Sequence, residues 1–225
     1  MQTVQQTASG PYSESSTNLI YNLLFCDDPE LYQINSKKPY TYPFDIIFSD
    51  SSSIADLQTV IDDNESDPRV KILAYNKQMA GGFLPAKFEL LAVIVEVGLE
   101  NGLDVFASFN NGTARYINQT GKILIWETIT DATANKLTND LFLNSEKIVT
   151  QIGPWDKPRL AHPRKGNVRL TFLVSDGLYF GEGPADILFN DAMAKPTLQS
   201  ATQLLQYITE KSLESENANQ LYSAG

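Results

Sequence analysis

The stretch that decides the fold is residues 90–127, LLAVIVEVGLENGLDVFASFNNGTARYINQTGKILIWE. Turn sequences Glu-Asn-Gly, Asn-Asn-Gly and Gln-Thr-Gly divide it into four segments of β-type residues. Asn-Gly between two such segments is the strongest short-range signal of a β-hairpin. The pattern therefore predicts an antiparallel meander of four strands, covered on both faces because apolar residues alternate on both. These strands are 90–99, 104–109, 113–118 and 122–127.

A helix, a hairpin and a second helix are predicted after the meander. Residues 131–151 have helical spacing of apolar residues, with Thr130 or Asp131 as the N-cap. Asp176-Gly177 separates the β-type segments 167–175 and 178–180 and predicts a hairpin turn. Residues 198–213 predict a closing helix with Pro196 at its start.

The spacing of apolar residues predicts that the region before the meander, residues 18–85, is mainly helical. Apolar spacing predicts a short helix over residues 18–26, capped by Thr17 or Asn18, and then a proline-containing loop over 27–43. A serine cap with Asp56 in the first turn opens a helix along Ile54, Leu57, Val60 and Ile61. A second helix over 69–79 places Val70, Leu73, Ala74 and Lys77 at helical spacing before a Gly-Gly pair.

These elements predict an α+β fold, because the strands are grouped in hairpins rather than alternating singly with helices. We expect flexible tails at 1–17 and 214–225 and one domain over 18–213, mainly helical in 18–85 and sheet-containing in 86–213. The element order of residues 90–213 is similar to that of the profilin-like sensory and scaffold domains, in which helices pack on a sheet. This resemblance is one of topology and assigns no functional residue.

Composition narrows the class of protein and its partners. The chain has 27 acidic and 17 basic residues, a formal net charge of -10, which disfavours a nucleic-acid partner. Its longest apolar run, 90–97, is too short to span a bilayer, and residues 1–17 do not resemble a secretory signal. Cys26 is the only cysteine and suits a reducing compartment. We therefore expect a soluble, cytoplasmic protein without a membrane partner.

Two residues are candidates for catalysis. His162, the sole histidine, is the type best suited to proton transfer, and Asp176 or Asp186 could orient it beside Ser175. No G-x-S-x-G motif is present, and a lone histidine in a proline-rich loop is typically exposed or structural. Cys26 could be a nucleophile, although its neighbours Leu24 and Phe25 favour a small buried residue.

Metal and cofactor signals are weak. With one histidine and one cysteine a zinc site is not expected. The acidic run 62–67 offers oxygen ligands for calcium but lacks the glycine and terminal glutamate of a calcium-binding hand, and an exposed helix terminus explains it equally well. Gly181 and Gly183 follow a strand, but Asp186 stands where the dinucleotide pattern needs a third glycine, so a loop with unusual backbone angles is expected instead. No metal or cofactor is predicted.

A basic segment is the most unusual local feature, with five of the 17 basic residues inside positions 157–169 and three prolines nearby. It could bind an anionic small molecule or an acidic partner protein. The alternative is that its cations pair with the chain's own acidic face while Trp155 packs on the core. The predicted contact residues are Trp155, Lys157, Arg159, His162, Arg164, Lys165 and Arg169.

Three functions remain open. The absence of a recognisable catalytic constellation favours a non-enzymatic binding or protein-interaction module. The alternatives are a small hydrolase or transferase that uses His162 with a carboxylate, and a sensor whose sheet faces a small ligand. Apolar faces on the meander would also permit a homodimer.

Overall fold

The computed structural model describes the backbone of residues 10–223 and the side chains of residues 10–215. Within these residues, eight helices pack with one antiparallel sheet of six strands, so the predicted α+β class is confirmed. The strands are β1 Leu90–Leu99, β2 Gly102–Phe109, β3 Ala114–Ile117, β4 Ile123–Trp126, β5 Asn167–Val174 and β6 Gly177–Pro184.

The strand order is β4-β3-β2-β1-β5-β6, which places β1 inside the sheet. The predicted meander is confirmed as the hairpins β1–β2, β2–β3 and β3–β4. The predicted second hairpin, β5–β6, continues the sheet on the other side of β1, where Val93 lies opposite Phe172. Both local hairpin systems therefore share one sheet through the β1–β5 pairing.

Both faces of the sheet are covered, as predicted from the alternation of apolar residues. Ile94 packs in a core under the N-terminal helices, whereas its neighbour Val95 packs in a second core under the two long C-terminal helices. Successive side chains on a strand point to opposite faces, so a strand apolar at every position serves two cores. Burial of these two layers supplies the main stabilising free energy of the fold.

Five helices precede the sheet: α1 Ser15–Leu23, α2 Pro29–Asn35, α3 Phe44–Ile47, α4 Ile54–Asp62 and α5 Pro68–Ala80. The serine cap of α4 is confirmed, because Ser53 and Asp56 form a capping box. The loop predicted over 27–43 is wrong, since it contains α2. Pro29 occupies the first helical position, where its missing N–H is no loss, and the Asp28 carboxylate accepts from Glu30 N at 3.0 Å.

The ordered N-terminal part begins earlier than predicted. The helix begins at Ser15, and Asn18, predicted as a cap, lies inside it. The Asn18 side chain accepts from Tyr12 N at 2.9 Å and donates to Tyr12 O at 2.8 Å. The buried Tyr12 hydroxyl donates to Leu103 O at 3.0 Å. The tail predicted over 1–17 is therefore wrong for residues 12–17, while its residues 1–9 lie outside the described part.

Three helices accompany the second hairpin: α6 Ala132–Val149, α7 Ala185–Leu188 and α8 Ala194–Ser223. The Asp131 cap of α6 is confirmed. The last helix is longer than the predicted 198–213, because Asp191 caps it by accepting from Met193 N and Ala194 N. Its backbone stays helical through Ser223, so the helix extends into the tail predicted over 214–225. Among the described residues, no helix is both long and apolar enough to cross a membrane.

Candidate functional site

A cavity of about 570 Å³ opens between α2, α3 and α5. Its volume is in the range that small-molecule sites occupy. Its lining residues are Cys26, Asp27, Pro29, Glu30, Gln33, Ile47, Phe48, Asp50, Leu73, Asn76, Lys77 and Ala80.

The apolar part of the cavity is held in a fixed shape. Ile47 and Leu73 are buried, and both belong to the core between the N-terminal helices and the sheet. The Phe48 ring stacks on the Phe44 ring with centroids 5.2 Å apart, and it meets the Tyr40 ring edge-on at 5.0 Å. Side chains packed on both sides keep their rotamers, so this apolar surface is preformed for a ligand.

Lys77 lies in the cavity, and its ammonium is directed at the protein backbone rather than at a ligand. Its ammonium donates to three backbone carbonyls at the end of α3, those of Ile46, Ile47 and Ser49, with 2.9 Å to Ile47 O. Burial lowers the pKa of Lys77. Because an ammonium has three protons, its hydrogen-bonding capacity is used by the protein itself.

The remaining charges of the cavity are carboxylates. The Asp27 carboxylate is paired with Arg159, with 2.6 Å between Oδ2 and Nε. Glu30 and Asp50 are exposed, and no ion pair or side-chain hydrogen bond engages their carboxylates among residues 10–215. The cavity therefore combines an apolar surface with two exposed carboxylates, of which Asp50 interacts electrostatically with Lys77.

Most of the basic segment lies in a strap, residues 155–166, which crosses the side of the sheet that faces the N-terminal helices. Its last basic residue, Arg169, belongs to β5. Trp155 N donates to Leu178 O of β6 at 2.7 Å, and Gly166 N donates to Gly98 O of β1 at 2.8 Å. The Trp155 ring meets the Phe180 ring edge-on at 5.0 Å, and its indole N–H donates to Pro158 O. The predicted contact residue Trp155 thus packs partly on the sheet.

Arg159 joins the strap to the region around α1. Besides its pair with Asp27, its Nη2 donates to Asn22 Oδ1 at 2.9 Å. Its guanidinium also lies 3.9 Å from the centroid of the Phe25 ring, a cation–π contact. The residue predicted to meet a partner therefore binds the chain's own N-terminal layer.

Arg169 joins the strap to the sheet from a buried position. On one row across three strands, Arg169 of β5 lies between Glu96 of β1 and Glu182 of β6. Its Nη2 contacts Glu182 Oε2 at 2.6 Å and donates to Ala161 O, while Nη1 donates to Leu160 O. Two carboxylates and two strap carbonyls thus surround one guanidinium, which is 4% exposed.

The other predicted contact residues divide into paired and exposed groups. Lys165 forms an ion pair with Glu100 at the β1–β2 turn. Lys157 is exposed, with its ammonium 5.4 Å from the centroid of the Trp155 ring, and His162 and Arg164 are exposed as well. Pairing within the chain accounts for Arg159, Lys165 and Arg169, so an external partner would meet Lys157, His162 and Arg164.

The structure does not bring the catalytic candidates together. His162 lies on the strap near the first residue of β5, whereas Ser175 and Asp176 follow its last residue. An eight-residue strand separates these two ends by roughly 25 Å. Ser175 is buried and donates to Lys87 O at 2.6 Å. Asp186 is exposed at the start of α7, and no hydrogen bond joins it to His162 within the described residues.

Cys26 is buried among apolar residues, as its neighbours in the sequence suggested. Burial raises the pKa of its thiol to about 12. A thiol that stays protonated is a poor nucleophile, so the arrangement does not favour thiol catalysis.

The structure also tests the interpretations of the glycines at 181 and 183 and of the acidic run 62–67. Gly181 and Gly183 lie within β6, so the loop expected there is wrong. In the acidic run 62–67, Asp67 caps α5 and pairs with Arg69 at 2.7 Å, and Asp63 accepts from the Tyr42 hydroxyl. These carboxylates stabilise a turn and a helix start.

Sequence reasoning missed the cavity and the buried carboxylate Glu96. Both had a signal in the sequence. Lys77 continues the apolar face of α5, and Glu96 interrupts the apolar run of β1. A charged residue at a position that the period assigns to the core indicates a buried, partnered charge.

Comparison with known proteins adds no relative: no family model, no curated protein and no solved structure matches the chain. The resemblance to profilin-like domains accordingly stays a prediction. Functional reasoning therefore rests on the geometry of the cavity and the strap.

Proposed function

We propose that the chain is a non-enzymatic binding module whose cavity between α2, α3 and α5 takes a small organic cation with an apolar body. One observation supports this most strongly: the cavity combines a preformed apolar surface with the exposed carboxylates of Glu30 and Asp50, while the Lys77 ammonium donates to backbone carbonyls. Ligand sites are typically apolar with few polar groups that fix orientation and charge preference.

The sign of the charge follows from the groups that remain available. An anion would be repelled by Glu30 and Asp50, and it would gain no hydrogen bond from Lys77, whose protons are already donated. A cation would be repelled by the charge of Lys77 but attracted by two carboxylates and by the net charge of -10 of the whole chain. This is a form of the small-ligand sensor, with the ligand in the helical layer rather than on the sheet.

A matched pair of probes tests the proposal. We would titrate the ¹⁵N-labelled protein with 2-phenylethylammonium and with the neutral isostere 2-phenylethanol, and follow amide shifts by NMR. We expect both probes to shift the amides of the cavity residues, and the ammonium to bind several-fold more tightly because it adds an ionic contact of about 1 kcal/mol.

Variants with matched controls locate the site. Ala80→Phe narrows the mouth of the cavity and should abolish the shifts, whereas Ala86→Phe introduces the same ring outside it. The pair Glu30→Gln and Asp50→Asn should remove the preference for the ammonium, and the exposed Glu65→Gln should not. Binding that survives Ala80→Phe, or a neutral probe that binds as tightly as the ammonium, would refute the proposal.

An acidic macromolecular partner on the strap is a second candidate. The strap presents Lys157, His162 and Arg164 beside Leu160, which is 44% exposed, on a segment anchored at both ends. We would immobilise the wild type and the Lys157→Glu, Arg164→Glu variant and measure retention of a defined poly-glutamate peptide. Equal retention would remove this candidate. We also propose that the protein acts in the cytoplasm, since its one cysteine is a buried thiol.

A further inference from the structure

We infer that ligand binding in the cavity and docking of the strap oppose each other through the carboxylate of Asp27. The inference rests on the proposed function, because it concerns the same cavity. It adds a regulatory connection between that cavity and the surface of the strap.

The inference is based on the Asp27 carboxylate, which lines the cavity and also pairs with Arg159. Asp27 follows α1 and lines the cavity, and its Oδ2 accepts from Arg159 Nε at 2.6 Å. Arg159 belongs to the strap and does not line the cavity. Its side chain is 17% exposed and that of Asp27 is 32% exposed, so solvent screens this pair only in part. The same negative charge thus faces a ligand on one side and the strap on the other.

A cation in the cavity and Arg159 would share that charge. Each cation reduces the attraction of Asp27 for the other, and the two positive charges repel. Binding of one therefore weakens binding of the other, and linkage makes the effect equal in both directions. A neutral ligand does not compete with Arg159 for the charge of Asp27, so it leaves the strap unchanged.

The part of the strap that responds is limited by its other anchors. Arg169 holds the carbonyls of Leu160 and Ala161, and Gly166 N bonds to β1. Between Trp155 and Leu160, however, Arg159 supplies the contacts with Asn22, Phe25 and Asp27. A cationic ligand would accordingly loosen residues 156–159, which lie between the anchors at Trp155 and Leu160 and include the exposed Lys157.

Affinity measurements on two arginine variants test the coupling. We would measure the dissociation constant of 2-phenylethylammonium by NMR titration for the wild type, Arg159→Met and Arg164→Met. Methionine keeps much of the apolar stem, and Arg164 provides the same change of charge at an exposed position of the strap, away from the cavity. We expect Arg159→Met to bind the ammonium about threefold to tenfold more tightly, with 2-phenylethanol unchanged and Arg164→Met within about twofold of the wild type.

A second measurement uses the wild type and so does not depend on the folding of a variant. The heteronuclear ¹⁵N NOE of the amides of Asp156, Lys157 and Arg159 should fall when 2-phenylethylammonium saturates the cavity, and it should not change with 2-phenylethanol. If the ammonium binds the cavity but neither its affinity for Arg159→Met nor the mobility of residues 156–159 changes, the coupling is refuted and the binding module stands. If neither probe binds the cavity, both proposals fail.

Discussion

The Glu96 carboxylate and the Arg169 guanidinium face each other in register across β1 and β5, with Oε2 and Nη1 3.6 Å apart. Glu96 is fully buried, and its Oε1 accepts from the Tyr21 hydroxyl at 2.7 Å. Among the described residues Oε2 has no hydrogen-bond partner, and Glu182 makes the closer contact with Arg169. A buried charge that is incompletely paired destabilises the folded state.

Glu96→Gln should therefore change how stability depends on pH. Burial raises the pKa of Glu96, so the folded state retains a proton that the unfolded state has released. Wild-type stability should decline as pH rises above the ordinary value of 4.5, up to the raised pKa. Glutamine keeps an acceptor for Tyr21 and does not titrate, so the free energy of unfolding of the variant should rise relative to that of the wild type as the pH increases above that value.

Urea unfolding at a series of pH values gives this difference directly. The exposed Glu65→Gln serves as the control and should follow the wild type at every pH. Parallel stability curves for Glu96→Gln and the wild type would contradict the assignment of a raised pKa to Glu96.

Arg169→Met should lower the free energy of unfolding by about 3 to 5 kcal/mol. It leaves Glu96 and Glu182 without a counter-charge and deprives the Leu160 and Ala161 carbonyls of their donor. Arg164→Met, at an exposed position, should stay within about 0.5 kcal/mol of the wild type. Equal effects at the two positions in urea unfolding would mean that Arg169 is not a structural anchor.

Tyr12 should contribute to stability as a core residue. Tyr12→Ala removes a buried ring and should cost about 3 to 5 kcal/mol, whereas Tyr12→Phe loses the hydrogen bond to Leu103 O and should cost about 1 kcal/mol. Thermal or urea unfolding of both variants gives the comparison. A residue in a flexible tail would tolerate both changes, so two neutral substitutions would restore the boundary at residue 18.

Cys26 should be unreactive until the protein unfolds. With a pKa of about 12, its thiolate fraction near pH 8 is about one in ten thousand, and its sulfur is inaccessible. A colorimetric disulfide reagent should detect no thiol in the native protein and one after urea is added. Rapid labelling of the native protein would show that Cys26 is accessible and reopen it as a nucleophile.

The elements predicted correctly were those with local signals. Asn110 to Gly112 is a complete turn signal, and Asp131 marks a helix start without reference to any distant residue. Helix α2 was missed because Pro29 was interpreted as a breaker, although the same residue at a first helical position begins a helix. A residue type therefore predicted local structure correctly where it has one meaning, and failed where, like proline, it can either begin or break a helix.

The candidate site depends on pairs of residues that are far apart in the chain. The sequence indicates that 157–169 is rich in cations, but their partners follow from the fold: Asp27 lies 132 residues before Arg159. The cavity likewise needs three helices to meet. The spacing of apolar residues in α5 places Lys77 on the core side of that helix. The backbone carbonyls to which its ammonium donates are identified only by the tertiary structure.

The position of β1 inside the sheet has a consequence for the order of folding. Its β2 neighbour follows within a few residues, so that pairing forms early, whereas β5 is separated from it by the meander and α6. Contacts distant in sequence form slowly because a long loop must close first. During that interval β1 presents an open apolar edge, the kind of edge at which another nascent chain can add a strand. The time needed to dock the β5–β6 hairpin therefore sets how long each newly made molecule is exposed to aggregation.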